Sequence, residues 1–376
     1  MFPPAGQGKR IIYVVNPPIF FVSHRMVLAQ AARAEGYDVS VVTPEGEGVA
    51  AICAAGFDWH PMRFDPGGMS LVRDLGTVRD LLRIFRALKP AIVHNVTIKP
   101  VLYGTLAARL AGVKLVINAI SGLGYLFTGS RMLRRFLGIA LYRLLMRHPN
   151  MRVIVQNSED LALFRRYRLT DEKNLCLIRG SGVDVSAFAN AAPSRQPPVI
   201  LQVSRMVGDK GVREFIAAAG IVHATHPAAR FLLAGPLYPG NPSALSQAEL
   251  RQAEQDGHVT WLGPRDDIPA LLQQASIFCL ASYREGLPKA LLEAGACGLP
   301  LVTTDSSGCR EVVQDGVNGL LVPVADAQAL ADAILRLLAD PAAARALGAR
   351  ARQIVERDFS LGPVIAAQLA LYRLYR

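Results

Sequence analysis

Cysteine is scarce in this 376-residue chain. There are five (Cys53, Cys176, Cys279, Cys297 and Cys309), an odd number with no CxxC pair and no Cys/His cluster at ligand spacing. A disulfide framework and a structural zinc site are therefore not expected. Long apolar runs are missing too, so no helix is expected to span a bilayer. The opening MFPPAGQGKR has no extended apolar core before a cleavage site, so no signal peptide is expected. Together these point to a reducing cytoplasm. No GxGxxG follows a strand, and there is no GxxxxGK[ST], GxSxG or HExxH. That removes the dinucleotide fingerprint, the P-loop, the hydrolase elbow and the zincin helix. No repeat of fixed period is visible. Apolar residues at 51% and charged residues at 19% exclude a disordered chain. The length suggests two domains.

Acidic residues are absent from one long stretch. Positions 81–158 hold 12 Lys and Arg and no Asp or Glu, and the whole +11 excess lies within 1–188. Such a field attracts phosphate-bearing surfaces. Within it, RMLRRFLGIALYRLLMRH (131–148) alternates apolar residues at helical spacing with Arg131, Arg134, Arg135 and Arg143. It reads as a basic amphipathic helix suited to an anionic membrane interface. Periodicity leaves open whether its stripe faces lipid or core.

The first half alternates strand-like runs (11–15, 38–43, 91–95, 114–119, 151–156) with helical ones (24–37, 77–89, 100–112). A proline-rich linker at 189–198 follows, and the pattern restarts with strands at 199–203, 230–235, 258–263, 276–282, 299–304 and 319–324. This predicts an α/β chain of two tandem, Rossmann-like, doubly wound parallel sheets, over 1–188 and 198–357, with a cleft between them. A last helix within 358–376 could return to the first domain.

Chemistry is concentrated at 282–304, SYREGLPKALLEAGACGLPLVTT. A strand ends near Ser282, a loop carries Glu285, Gly286, Leu287 and Pro288, and a helix opens at the proline. Backbone N–H groups at such a helix start suit a diphosphate. Glu293, eight residues after Glu285, could bind a vicinal diol such as a ribose. After the strand at 199–203 come Ser204, Arg205 and Lys210, with Gly208 and Gly211 permitting close backbone approach. Two cations there could neutralise a departing diphosphate.

At these motifs the chain resembles the retaining nucleotide-sugar glycosyltransferases of family 4, which have the GT-B fold. The resemblance rests on Ser204-Arg205, Lys210-Gly211, Leu233-Ala234-Gly235-Pro236, Trp261-Leu262-Gly263, Glu285 through Glu293, and Asp315 through Gly319. The first half resembles the subgroup that builds capsule, O-antigen and N-glycan precursors on a polyprenyl diphosphate. The matching residues are Ser23-His24-Arg25, Ala32 through Tyr37, Ile92-Val93-His94, Ile98-Lys99-Pro100 and Ile120 through Tyr125.

The resemblance implies that Arg205 and Lys210 hold the donor diphosphate, Glu293 the ribose and Glu285 the transferred sugar. Backbone around Gly286, Leu287 and Pro288, with Ser204 and Gly235, would line the phosphates, and the Gly263-Pro264-Arg265 loop would receive the base. His94, Ser23, His24, Lys99, Ser121 and Gly122 would face the acceptor or the sugar. The family needs no metal, and no cofactor is expected. Two family features are missing: a Gly-Gly pair after the first strand, where Pro17-Pro18 stands, and a sugar-contacting His after a later strand, where Ser121-Gly122 stands.

The expected activity is transfer of a hexose or N-acetylhexosamine from a UDP-sugar to a polyprenyl-diphosphate-linked saccharide. The enzyme would be peripheral on the inner face of the cell membrane, its first domain binding acceptor and its second binding donor. A UDP-sugar epimerase of the same fold is the alternative. A nucleic-acid-binding protein is the other reading that the charge suggests, but aromatics are only 7% and no basic–aromatic stacking pattern is present.

Overall fold

The computed structural model describes residues 9–64, 71–122, 132–148, 150–190 and 196–375, with backbone alone for 71–73 and 132–137. The chain divides into two units. One holds the described residues up to Ser181 and those from Val364 onward, and the other is Gly182–Pro363.

In the first unit the elements run β1 (Arg10–Val15), α1 (Pro18–His24), α2 (Met26–Ala34), β2 (Asp38–Thr43), α3 (Val49–Ala54), β3 (Asp58–Pro61), α4 (Leu71–Leu88), β4 (Ile92–Val96), α5 (Ile98–Leu110), β5 (Leu115–Ala119), α6 (Met132–Met146), β6 (Met151–Val155), α7 (Ser158–Arg166) and β7 (Leu175–Leu177). Seven strands pair in the order β3-β2-β1-β4-β5-β6-β7, all parallel. Strands covered on both faces read as largely apolar runs, as β1 does over Ile11–Val15. Edge strands β3 (DWHP) and β7 (LCL) are short, and β3 is polar and ends in proline, so neither stands out in the sequence.

The second unit runs β8 (Val199–Val203), α8 (Val212–His223), β9 (Arg230–Ala234), α9 (Gln247–Gln255), β10 (Thr260–Trp261), α10 (Ile268–Gln274), β11 (Ile277–Leu280), α11 (Lys289–Ala296), β12 (Leu301–Thr304), α12 (Cys309–Val312), β13 (Gly319–Val322), α13 (Ala327–Ala339) and α14 (Pro341–Asp358). Its strand order is β10-β9-β8-β11-β12-β13, again parallel. The order reverses between β8 and β11. Loops leaving their carboxyl ends therefore lie side by side, where such sheets bind ligands.

The last helix, α15 (Leu361–Arg373), joins the first unit from Val364 onward. Val364, Leu369 and Tyr372 enter the core that contains β1 and β4. The Tyr372 hydroxyl lies 2.7 Å from both the Tyr13 hydroxyl and His94 Nδ1, and Arg373 pairs with Glu35.

This placement corrects the reading of His94 as a sugar contact. His94 is wholly buried in β4, with its ring stacked 5.1 Å from that of Tyr13. Burial, and then the charge of the nearby buried Arg25, hold its pKa well below the ordinary histidine value. A neutral, inaccessible ring tied to the C-terminal helix is a packing residue.

Candidate active site

Three loops meet at the carboxyl edge of the second sheet. The first, 204–211, leaves β8. Its base is held by Gln202, a polar residue in an otherwise apolar strand, whose amide donates to the Ser204 hydroxyl at 3.2 Å and to the Lys210 carbonyl at 3.0 Å. One buried side chain thus ties both ends of the loop. Gly211 ends it with φ +65°, and a Cβ there would stand 2.0 Å from the carbonyl oxygen of Ala281. The loop from β8 is in this way pressed against the second loop, 281–288, which leaves β11.

That contact brings Lys210 to Glu285. Their side chains form an ion pair, with only 18% and 12% of their surfaces exposed. The Ser282 hydroxyl donates to the same Glu285 oxygen at 2.7 Å. Beyond the loop, α11 starts after Pro288 with no side-chain cap on its first turn, which leaves the positive end of the helix to be met from outside. Glu293 lies one turn along, paired with Lys289 at 3.0 Å. Gly286 and Pro288 are buried and Leu287 is half-buried. Both carboxylates read from the sequence therefore sit beside lysines, and Lys289 is a third cation that the sequence reading passed over.

The third loop follows β12. Gly308, at φ +77°, approaches so closely that a Cβ would lie 2.6 Å from the Glu285 carbonyl oxygen and 2.7 Å from that of Gly286. The Glu285 N–H donates to the Ser307 carbonyl at 3.1 Å. The turn bearing Glu285 is thus clamped from two neighbouring strand ends. Glycine alone fits both the left-handed backbone and the gap.

Other candidates occupy different settings. Arg205 is exposed, its guanidinium 4.6 Å from the ring centroid of Tyr238. No contact joins it directly to Glu285 among the described residues. Gly235 uses its backbone internally, its N–H donating to Gly263 and its carbonyl accepting from the Trp261 indole at 3.0 Å. A Cβ there would sit 1.8 Å from the Ser204 carbonyl oxygen, so Gly235 seats the Ser204 loop rather than offering its own amide to a ligand. Arg265 forms a forked pair with Asp267. Cys297 and Cys309 are buried. Burial pushes the Cys297 thiol up to about 12 and raises that of Cys309, the state of packing residues rather than nucleophiles.

In the first unit, Lys99 opens α5 beyond β4, and its ammonium lies 5.3 Å from the ring centroid of Phe64. Ser121 and Gly122 follow β5, both half-buried. Ser23 donates to the Ile19 carbonyl at 2.8 Å and lies 2.7 Å from His24 Nδ1, and the His24 ring stacks 4.0 Å from Phe20. Thr97, between β4 and α5, takes φ 73° without being glycine, a strained position of the kind kept at ligand sites.

Of the basic helix, Arg131 and the side chains of Arg134 and Arg135 lie outside the described residues. Arg143 is exposed and donates to the Tyr167 carbonyl at 2.9 Å. Tyr142, Leu145 and Met146 of α6 are buried in the core. Leu141 and Leu144 are exposed on α6, as are Leu106 and Leu110 on α5. The two helices are joined where Arg109 donates to the Leu144 carbonyl at 2.7 Å. Among the described residues no helix is long and apolar enough to cross a membrane.

Comparison with known proteins matches residues 10–158 to the glycosyl transferase 4-like family and residues 186–354 to the glycosyl transferases group 1 family. The chain is 28% identical over 346 residues to the N,N'-diacetylbacillosaminyl-diphospho-undecaprenol alpha-1,3-N-acetylgalactosaminyltransferase of Campylobacter jejuni, covering 86% of this chain and 89% of that one. It is 26% identical over 286 residues to the Escherichia coli UDP-Gal:alpha-D-GlcNAc-diphosphoundecaprenol alpha-1,3-galactosyltransferase, covering 72% of each. Its fold is similar to that of Anabaena HepE, crystallised with UDP and glucose, at TM-score 0.78 and 19% identity over 96% of this chain and 99% of that one.

Proposed function

Because the chain belongs to the group 1 glycosyltransferases, with a glycosyl transferase 4-like first half, we propose that it moves a hexose or N-acetylhexosamine from a UDP-sugar to a saccharide carried on a polyprenyl diphosphate, with retention of configuration. Its two tandem doubly wound sheets are the GT-B architecture. The observation that carries the site reading is the meeting of Lys210 with Glu285 at the switch point of the second sheet, beside the uncapped start of α11. The two relatives named for diphospho-undecaprenol acceptors support the acceptor class.

In this reading the donor diphosphate competes with Glu285 for Lys210, and Arg205 adds a second positive charge. Stabilising the departing UDP lowers the barrier, because its charge develops only as the anomeric C–O bond breaks. Glu285 faces the sugar, and Glu293 accepts hydrogen bonds from the ribose diol. The acceptor hydroxyl forms the new bond on the face that UDP leaves, and its proton passes to a phosphate oxygen of UDP.

Thermal shift with UDP- and GDP-sugars tests the donor. A ligand at a hundred times its Kd stabilises the native state by about 2.7 kcal/mol, so UDP-sugars should raise Tm. Glu293→Ala should weaken UDP binding by about tenfold or more, since hydrogen bonds to a charged group contribute roughly 1.5–3 kcal/mol. Wild-type affinity in that variant would refute the role given to Glu293.

The first unit, in the same reading, rests on an anionic inner leaflet. Leu106, Leu110, Leu141 and Leu144 form the apolar part, and Arg109, Arg143 and Arg147 border it on the same two helices and the turn beyond. Co-sedimentation should occur with vesicles containing phosphatidylglycerol, weaken with salt, and fall in a Leu110→Ser/Leu144→Ser variant. Equal recovery with zwitterionic, net-neutral phosphatidylcholine vesicles would count against the charge contribution.

A further inference from the structure

Arg205 and Lys210 share a loop, yet the structure holds them in different ways. Lys210 is neutralised by Glu285, whereas no carboxylate pairs with Arg205 among the described residues. What holds Arg205 is the segment 236–245, which leaves β9. Met206 and Leu237 form a parallel bridge, and Val207 and Ala244 an antiparallel one. Met206 N–H donates to the Pro236 carbonyl at 3.0 Å, Gly208 N–H to that of Ser243 at 2.7 Å, and Leu245 N–H to that of Met206 at 3.0 Å. The residues after Arg205 therefore lie between the two arms of this segment.

The tip turns back on itself. Asn241 N–H donates to the Tyr238 carbonyl at 3.0 Å, and Asn241 Oδ1 accepts from the Ser243 N–H and hydroxyl at 2.8 and 2.9 Å. This geometry sets the Tyr238 ring against the Arg205 guanidinium, 4.6 Å from centroid to Cζ.

We propose that Tyr238 is a positioning residue: its ring fixes the Arg205 guanidinium so that its N–H donors are presented to the donor diphosphate. An aromatic face attracts the cation without occupying the in-plane N–H groups. A carboxylate in its place would compete with phosphate for those groups. Holding a long side chain in advance also removes part of the ordering cost of binding. The inference rests on the UDP-sugar reading of this site.

The test uses the full chain and compares Tyr238→Phe, Tyr238→Leu, Arg205→Ala and the Tyr238→Leu/Arg205→Ala double variant, titrated with UDP and with uridine. Tyr238→Phe keeps the ring and should match the wild type. Tyr238→Leu should weaken UDP binding about fivefold, leave uridine binding unchanged because uridine has no phosphate, and add nothing in the Arg205→Ala background. UDP affinity unaltered in Tyr238→Leu would overturn the inference. So would an undiminished effect in the double variant, or a parallel loss for uridine, which would make the ring a base contact. A wild type that binds no UDP would overturn the donor reading itself, and this inference with it.

Discussion

Lys210→Ala is expected to lower kcat by about a hundredfold to a thousandfold, the scale on which removing one pre-placed electrostatic group acts on a developing charge. KM for the donor should move much less, since Arg205 and the start of α11 remain. The reason lies in the geometry. Lys210 is held on one side by its own loop, whose ends Gln202 ties together, and on the other by Glu285 and Ser282. An ammonium fixed before the substrate arrives needs little reorganisation when the C–O bond breaks. Lys210→Arg should recover part of the loss, because the charge returns with altered shape. Initial rates against donor concentration separate the two parameters. A kcat within threefold of the wild type in Lys210→Ala would remove the site assignment.

Gly211→Ala should be strongly destabilising. Two costs combine there. A left-handed φ of +65° disfavours any side chain, by roughly 1–2 kcal/mol. The added Cβ would also stand 2.0 Å from the Ala281 carbonyl oxygen, so backbone must shift, and Ala281 leads directly into Ser282 and Glu285. A total of about 3 kcal/mol corresponds to roughly 6–12 °C in Tm for a domain of this size, with loss of turnover as the Lys210–Glu285 pair is displaced. Gly257→Ala isolates the first cost: its φ is +73°, but nothing lies within 4 Å of the added Cβ. That variant should lose only about 1–2 kcal/mol and keep its activity. If the two variants melt together, the close approach of the β8 and β11 loops is not what stabilises the site.

The strand runs at 38–43 and 199–203 coincide with β2 and β8 residue for residue, because apolar and β-branched residues dominate both. The glutamates and cations of the second unit were equally legible, since their residue types and the glycines and proline around them announce backbone approach and a helix start. The residues that escaped notice act across distance in the chain. Gln202 could have been suspected as the one polar residue in VILQV, and Lys289 as a cation one helical turn before Glu293. Nothing near Tyr238 or Gly308 in the sequence names Arg205 or Glu285 as its neighbour. The resemblance set His94 toward the acceptor or the sugar, yet Tyr372, 278 positions away, seals it in the core.

Residue order was therefore enough for most of the strands and helices, for the two sheets and for the chemical types at the ligand edge, because these depend on local periodicity and on which residues tolerate a turn. Strand order placed β11 beside β8 and set Lys210 against Glu285, and the return of α15 turned His94 into core. It was packing, too, that directed Tyr142, Leu145 and Met146 inward while leaving Leu144 exposed. Such outcomes follow from contacts between distant segments, which a linear pattern does not encode.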